Sequence, residues 1–239
     1  MRTTSHGWTV LDEAAGVYSY TYSFGNGGRS NCFTARLADG TWMVISPPSN
    51  IPDAAIDELA QIAEVGALVA NNGWHHLGFA RWRERFPAAR CFAAEGARAR
   101  IRKKSATAGE LEPLSALASL LSDEVAVTEA PGSKDGETWA WAKIDGGYAW
   151  YASDILANLD KLPPKLVLRL LFKLSNSAPG YRVFNLAVRF IFSDRKAGLT
   201  AMLADVRQHP PRVMVPAHGG ILDGATVADD TIALLEAAL

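Results

Sequence analysis

Cysteine is nearly absent: the 239 residues hold two, Cys32 and Cys91, each in its own apolar stretch. Neither belongs to a C-x-x-C pair, so neither points to a zinc knuckle, and two buried thiols in a reducing cytoplasm are expected rather than a disulfide. Charge of one sign is also missing. A net charge of -1 provides no general attraction to nucleic acid. No uninterrupted apolar run approaches the roughly 20 residues needed to cross a bilayer. The opening "MRTTSHGWTVLDEAAG" lacks the apolar core of a secretory leader, so none is expected. Histidine is scarce too, with five in the chain. Two of the five are adjacent.

What is present suits one globular domain, residues 1–239, built in two halves. Apolar residues make up 49% and charged residues 21%, ordinary proportions for a chain that folds around a core. "GVYSYTYSF" alternates at period two, "GNGGRSN" follows with turn chemistry, and "CFTARL" resumes as a strand. The glycine cluster precedes a strand rather than a helix, which favours a hairpin loop over a phosphate cradle. "TWMVIS" is a further strand, closed by "PPSNIP". From there strand and helix alternate: "DAAIDELAQIA", "VGALVA", "LGFARWRERFP", "ARCFAA". That order implies crossover units on a sheet.

The hairpin theme returns in "TWAWAKI", "DGG" and "YAWYAS", where Asp-Gly suits a tight turn. Trp139, Trp141, Trp150 and Tyr151 are expected to fill the sandwich core and its rim. Residues 155–209 are expected to be a mainly helical, basic insert. Its helices should pack on the core with basic side chains snorkelling at the rim, against a membrane-surface helix, a lid or a homodimer contact as alternatives. "PRVMVPAHGG" is a last strand and "ATVADDTIALLEAAL" a terminal amphipathic helix.

Three polar clusters follow predicted strands: "NNGWHH", "SDIL" and "AHGG". Loops at strand ends converge in space, and His75, His76, Asp154 and His218 together suit a divalent transition metal. Neighbours on a regular strand face opposite ways, so His75 and His76 can share one ion only from a turn. If only one of them reaches, His76 is the expected ligand. Each residue also has a structural alternative. The paired histidines could open a helix, Asp154 could cap a helix over "ILANLD", and His218 could simply end a strand.

The order of hairpins and helices resembles the metallo-β-lactamase superfamily over nearly the whole chain. That resemblance implies an α/β fold, a four-layer αββα sandwich. The family motif H-x-H-x-D-H, aligned on His76, places Asn71 and Gly73 where two histidines stand and His75 where the aspartate stands. "YASDIL" puts Asp154 in register with the family's strand-end aspartate, and "VPAHGG" supplies the last histidine, His218. The middle histidine falls in "APGSKDGETW", which has none; Ser133 or a neighbour stands there. Ser46 replaces an acidic residue after the early strand, removing a support for the first motif.

The resemblance therefore implies loss of one metal position and survival of the other, with His75, His76, Asp154 and His218 as ligands. One divalent ion is expected, zinc first and iron or manganese next, or none. The implied activity is hydrolysis of an ester-like or phosphoester-like small molecule, with Asp154 and His76 as the catalytic groups. The rival is a non-catalytic binding module on the same scaffold. A cytoplasmic protein is expected, without nucleic-acid partners.

Overall fold

A computed structural model of the chain describes residues 1–24 and 28–239. The tip of the first glycine turn, read above as a hairpin loop, lies at 25–27, outside the described residues.

The first half forms an eight-stranded sheet in chain order: β1 (Arg2–Thr3), β2 (Trp8–Asp12), β3 (Val17–Phe24), β4 (Gly28–Arg36), β5 (Trp42–Ile45), β6 (Val65–Ala70), β7 (Arg90–Ala93) and β8 (Glu112–Pro113). Pairing is antiparallel as far as β5 and parallel from β5 to β8. The change falls where helices enter: α1 (Asp53–Ile62) lies between β5 and β6, and α2 (Phe79–Arg85) between β6 and β7. Parallel neighbours need such crossovers. A third helix, α3 (Glu95–Lys104), follows β7.

The second half builds a five-stranded sheet from β9 (Val125–Glu129), β10 (Thr138–Ile144), β11 (Gly147–Tyr151), β14 (Pro211–Val215) and β16 (Leu222–Asp223). β10 and β11 form the expected hairpin, with Ile144 opposite Gly147. β11 then pairs parallel with β14. The segment between them contains β12 (Leu156–Leu159), α4 (Leu166–Leu174), β13 (Gly180–Val183), α5 (Asn185–Ile191) and α6 (Arg195–Gln208). It is thus interrupted by two strands that helical spacing concealed. β12 pairs with β13 and with β15 (His218–Gly219) in a small third sheet. α7 (Val227–Glu236) closes the chain.

Side-chain alternation sorts these elements into four layers. On β5, Trp42 and Val44 face the α1–α3 layer, while Met43 and Ile45 face the second sheet. On β10, Ala140 and Ala142 face the first sheet, and Trp139 and Trp141 face α5–α7. Period-two strands buried on both sides account for this pattern. The tryptophans are correspondingly divided. Trp139, Trp141 and Trp150 pack against Leu199, Met202 and Val206 of α6, and only Tyr151 fills the space between the sheets. Both cysteines are free and buried against the first helical layer. Among the described residues no helix is long and apolar enough to cross a membrane.

Candidate metal centre

The loop after β6 owes its shape to asparagine chemistry. Asn72 Oδ1 accepts from the backbone N–H of Trp74 at 2.8 Å and of His75 at 3.2 Å, an Asx turn that ends the strand. The turn separates the two histidines. His75 points inward, whereas His76 directs Nδ1 to the Gly73 carbonyl at 3.1 Å. His76 is half-buried, and burial, with Arg100 and His75 nearby, lowers its pKa. The turn brings His75, rather than His76, to Asp154 and His218, with Asn72 holding it on the inner side.

Asp154 follows Ser153, a buried residue held at φ +52°. Left-handed backbone of this kind costs a non-glycine residue about 1–3 kcal/mol and clusters at functional sites. "ILANLD" is not a helix capped by Asp154 but leads into strand β12. β15 pairs parallel with β12, placing His218 opposite Ala157. Across the sandwich, Asn31 on β4 donates Nδ2 to the carbonyls of Pro216 at 2.8 Å and Gly219 at 2.9 Å. The first half of the chain thereby fixes the histidine of the second.

Within the described residues, His75, Asp154 and His218 are the group that could hold an ion, each offering one ligand atom with all three within 4.8 Å of one another. His75 Nε2 lies 3.4 Å and His218 Nε2 3.2 Å from Asp154 Oδ1. Both rings are committed at their other nitrogen. His218 Nδ1 lies 3.0 Å from the Arg29 carbonyl, an acceptor only, so Nδ1 carries a proton and Nε2 is the nitrogen left to face Asp154. His75 Nδ1 lies 2.8 Å from Ser46 Oγ. Asp154 Oδ2 accepts from Asn72 Nδ2 at 2.9 Å, but its buried Oδ1 has no hydrogen-bond partner.

A buried carboxylate oxygen with two imidazole Nε2 atoms converging on it is a donor set that suits a divalent cation, which would take the place of protons held between them. The spacing agrees: ligands about 2.0–2.1 Å from a tetrahedral ion stand roughly 3.3 Å apart. The residues present therefore fit one divalent metal. Burial raises the Asp154 pKa, but the facing His75 and His218 outweigh it and hold the carboxyl well below the usual range. For His218, burial disfavours the charge and Asp154 overrides it, raising the pKa.

Two readings of the flanking positions change. Ser46 is a support after all, since its hydroxyl meets His75. In the segment expected to carry a middle histidine, Glu137 rather than Ser133 reaches the centre. Its fully buried carboxylate accepts from the Asp154 N–H at 2.8 Å and from Asn72 Nδ2 at 3.0 Å. Ser133 Oγ accepts from the Glu137 N–H at 2.7 Å. Burial, then the Asp154 charge, drives the Glu137 pKa well above the ordinary carboxylate range. Asn71, aligned with the first lost histidine, donates Nδ2 to Ser153 Oγ at 2.5 Å. Gly73 has no side chain to offer. Arg100 occupies the space a Cβ there would need.

The three donors line a cleft of about 520 Å³ whose walls are chiefly apolar, including Tyr22, Phe24, Pro47, Leu77, Ala187 and Phe190. No lysine or arginine lines it among the described residues.

No protein-family model matches the chain, and no curated protein matches it in sequence. Solved structures do. DIM-1 metallo-β-lactamase superposes with a TM-score of 0.63 at 11% identity, covering 98% of this chain and 99% of its own. A metallo-β-lactamase from Pontibacter korlensis gives 0.59 at 13%, covering 96% and 98%. FIM-1 from Pseudomonas aeruginosa, in its mono-zinc form, gives 0.56 at 13%, covering 100% and 98%. With helices outside two packed sheets and likeness along the full length, the chain has the metallo-β-lactamase fold.

Proposed function

We propose that the chain is a metal-dependent hydrolase with a single-ion centre formed by His75, Asp154 and His218, zinc being the first candidate. The observation that carries this reading is Asp154 Oδ1, buried and facing the Nε2 atoms of two imidazoles at 3.4 and 3.2 Å. A divalent ion there would supply Lewis acidity, polarising a carbonyl and bringing the ionisation of water towards neutral pH. The chain's residues prepare for it. Arg29 and Ser46 hold the two rings by their Nδ1 atoms, and Asn72 anchors the Asp154 oxygen that does not face them. His76, expected among the catalytic groups, is turned to the Gly73 carbonyl and has no part at the reacting atoms.

The apolar walls favour an uncharged ester or lactone with a hydrophobic flank. A phosphoester would bring negative charge to a cleft whose described lining has no lysine or arginine to share it. Metal content after dialysis against zinc, followed by hydrolysis of neutral aryl esters, tests the proposal. One equivalent of zinc and turnover that chelator abolishes are expected. Zinc content unchanged by Asp154→Asn would overturn it.

The second reading, a binding module without catalysis, draws on the family resemblance, which sets Asn71 and Gly73 at two histidine positions and finds no histidine in "APGSKDGETW" for the third. It requires ligand capture in the cleft that persists in chelator, with no turnover of any ester tried.

A further inference from the structure

We propose that α4 seats the protein on an anionic lipid bilayer. Its sequence, LVLRLLFKL, is apolar at helical spacing, yet no residue of this helix is buried. Leu166 is 79% exposed, Val167 71%, Leu170 55% and Leu174 76%. The expectation that this helix packs on the core is corrected by that exposure. At 100° per residue, Leu166, Val167, Leu170, Leu171 and Leu174 share one face, and Lys165, Arg169 and Lys173 form a stripe beside it. Phe172 turns back to the protein, its ring 5.6 Å from that of Phe184, whose ring lies 6.3 Å from His218. Phe172 thus holds the helix beside the candidate metal centre, with its leucines outward.

Charge decides the occupant. Residues 161–193 contain six basic residues (Lys161, Lys165, Arg169, Lys173, Arg182 and Arg189) and no aspartate or glutamate. A short amphipathic helix with leucines on one face and cations beside them lies in the headgroup region, held by apolar burial and by attraction to anionic lipid. A second copy fits less well. A two-fold contact sets the same patch against itself, doubling the unbalanced positive charge at one interface.

Sedimentation of the full chain with phosphatidylcholine vesicles, with and without phosphatidylserine, tests the proposal. Binding is expected to anionic vesicles and to fall as salt rises. K165E/R169E/K173E should weaken it about tenfold or more, and L166S/L170S/L174S should abolish it. These side chains project outward, so both variants should keep the wild-type circular dichroism spectrum and unfolding midpoint. Failure to bind anionic vesicles at low salt would overturn the proposal, as would variants that bind like wild type. A solution dimer dissolved by the leucine variant, without vesicle binding, would assign the face to a second copy instead.

Discussion

Ser46 places its hydroxyl 2.8 Å from Nδ1 of His75 while its own backbone is held at φ +55°. The contact is made from a conformation that a serine adopts at a cost, and it orients a ring whose Nε2 faces Asp154. A hydroxyl stands here, so His75 is positioned by a neutral partner. Orienting groups of this kind contribute to metal affinity without touching the ion.

Ser46→Ala should therefore weaken zinc binding about tenfold to a hundredfold without unfolding the protein. Alanine retains the same backbone strain and loses only the hydroxyl, so the unfolding midpoint in chelator should change little. Titration against a competing zinc chelator measures the first effect, and a thermal scan the second. Unchanged affinity would show that Ser46 does not support the centre.

Asp154→Asn separates the apo and metal-bound states. In the free protein the Asp154 carboxylate is buried between two imidazoles that hold its pKa low, so the facing rings stabilise its charge. An asparagine keeps an oxygen for the Asn72 amide but loses that charge-assisted pairing, worth about 1.5–3 kcal/mol. In chelator the variant should melt at least about 2 °C lower than wild type at neutral pH, the shift expected per kcal/mol for a chain of this size. With zinc, wild type should gain stability and the variant should not.

Glu137 acts one step further out. Its two carboxyl oxygens accept from the Asp154 N–H and from Asn72, all three residues being buried. Glu137→Ala strands both donors and opens a cavity, so a loss of about 2–5 kcal/mol is expected. Glu137→Gln retains one oxygen for the Asp154 N–H and removes an acid from beside Asp154, and should cost less than half as much. Denaturant unfolding of the two variants in chelator distinguishes them. Equal losses would mean that the second acceptor oxygen, which glutamine lacks, rather than volume, is what Glu137 provides.

Gly219 tests how closely the last motif must pack. Its φ is +101°, and a Cβ would run into the backbone carbonyl of Asn158 on β12. That close approach sets the β12–β15 pairing and hence the place of His218. Gly219→Ala should destabilise the fold by about 1–3 kcal/mol from backbone strain alone. It should weaken zinc binding more than Ser46→Ala does, because the imidazole itself is displaced. Calorimetric titration of the purified variant with zinc measures this.

The strands legible in the sequence were those with period-two or continuously apolar runs. "GVYSYTYSF" became β3, "VGALVA" became β6 residue for residue, and "TWAWAKI…YAWYAS" became the β10–β11 hairpin. β12 was hidden because "SDILANLD" has the composition of a capped helix. Its extended course is set by Ser153 at positive φ and by pairing with β13 and β15, which sequence spacing does not reveal. α4 shows the converse limit: periodicity identified an apolar face, but not what that face meets. Three of the four expected site residues converge. Glu137 escaped notice because the acids of "KDGETW", Asp135 and Glu137, beside Lys134, read as surface, and the partners of Glu137, Asn72 and Asp154, lie 65 and 17 residues away.

The adjacent histidines give the most direct test of the centre. His75→Ala removes a proposed ligand and should abolish zinc binding at micromolar concentrations, the remaining pair being too few to retain a structural ion. His76→Ala removes only a ring bonded to the Gly73 carbonyl and should leave zinc affinity within about twofold, since the Asx turn at Asn72 persists without it. The two substitutions delete the same atoms from neighbouring positions, so general destabilisation affects both comparably and only ligation separates them. Matched zinc titrations measure the difference. If His76→Ala proves the more damaging, the ion takes the ring on the other side of the turn, and the Asn72 geometry is not what selects the ligand.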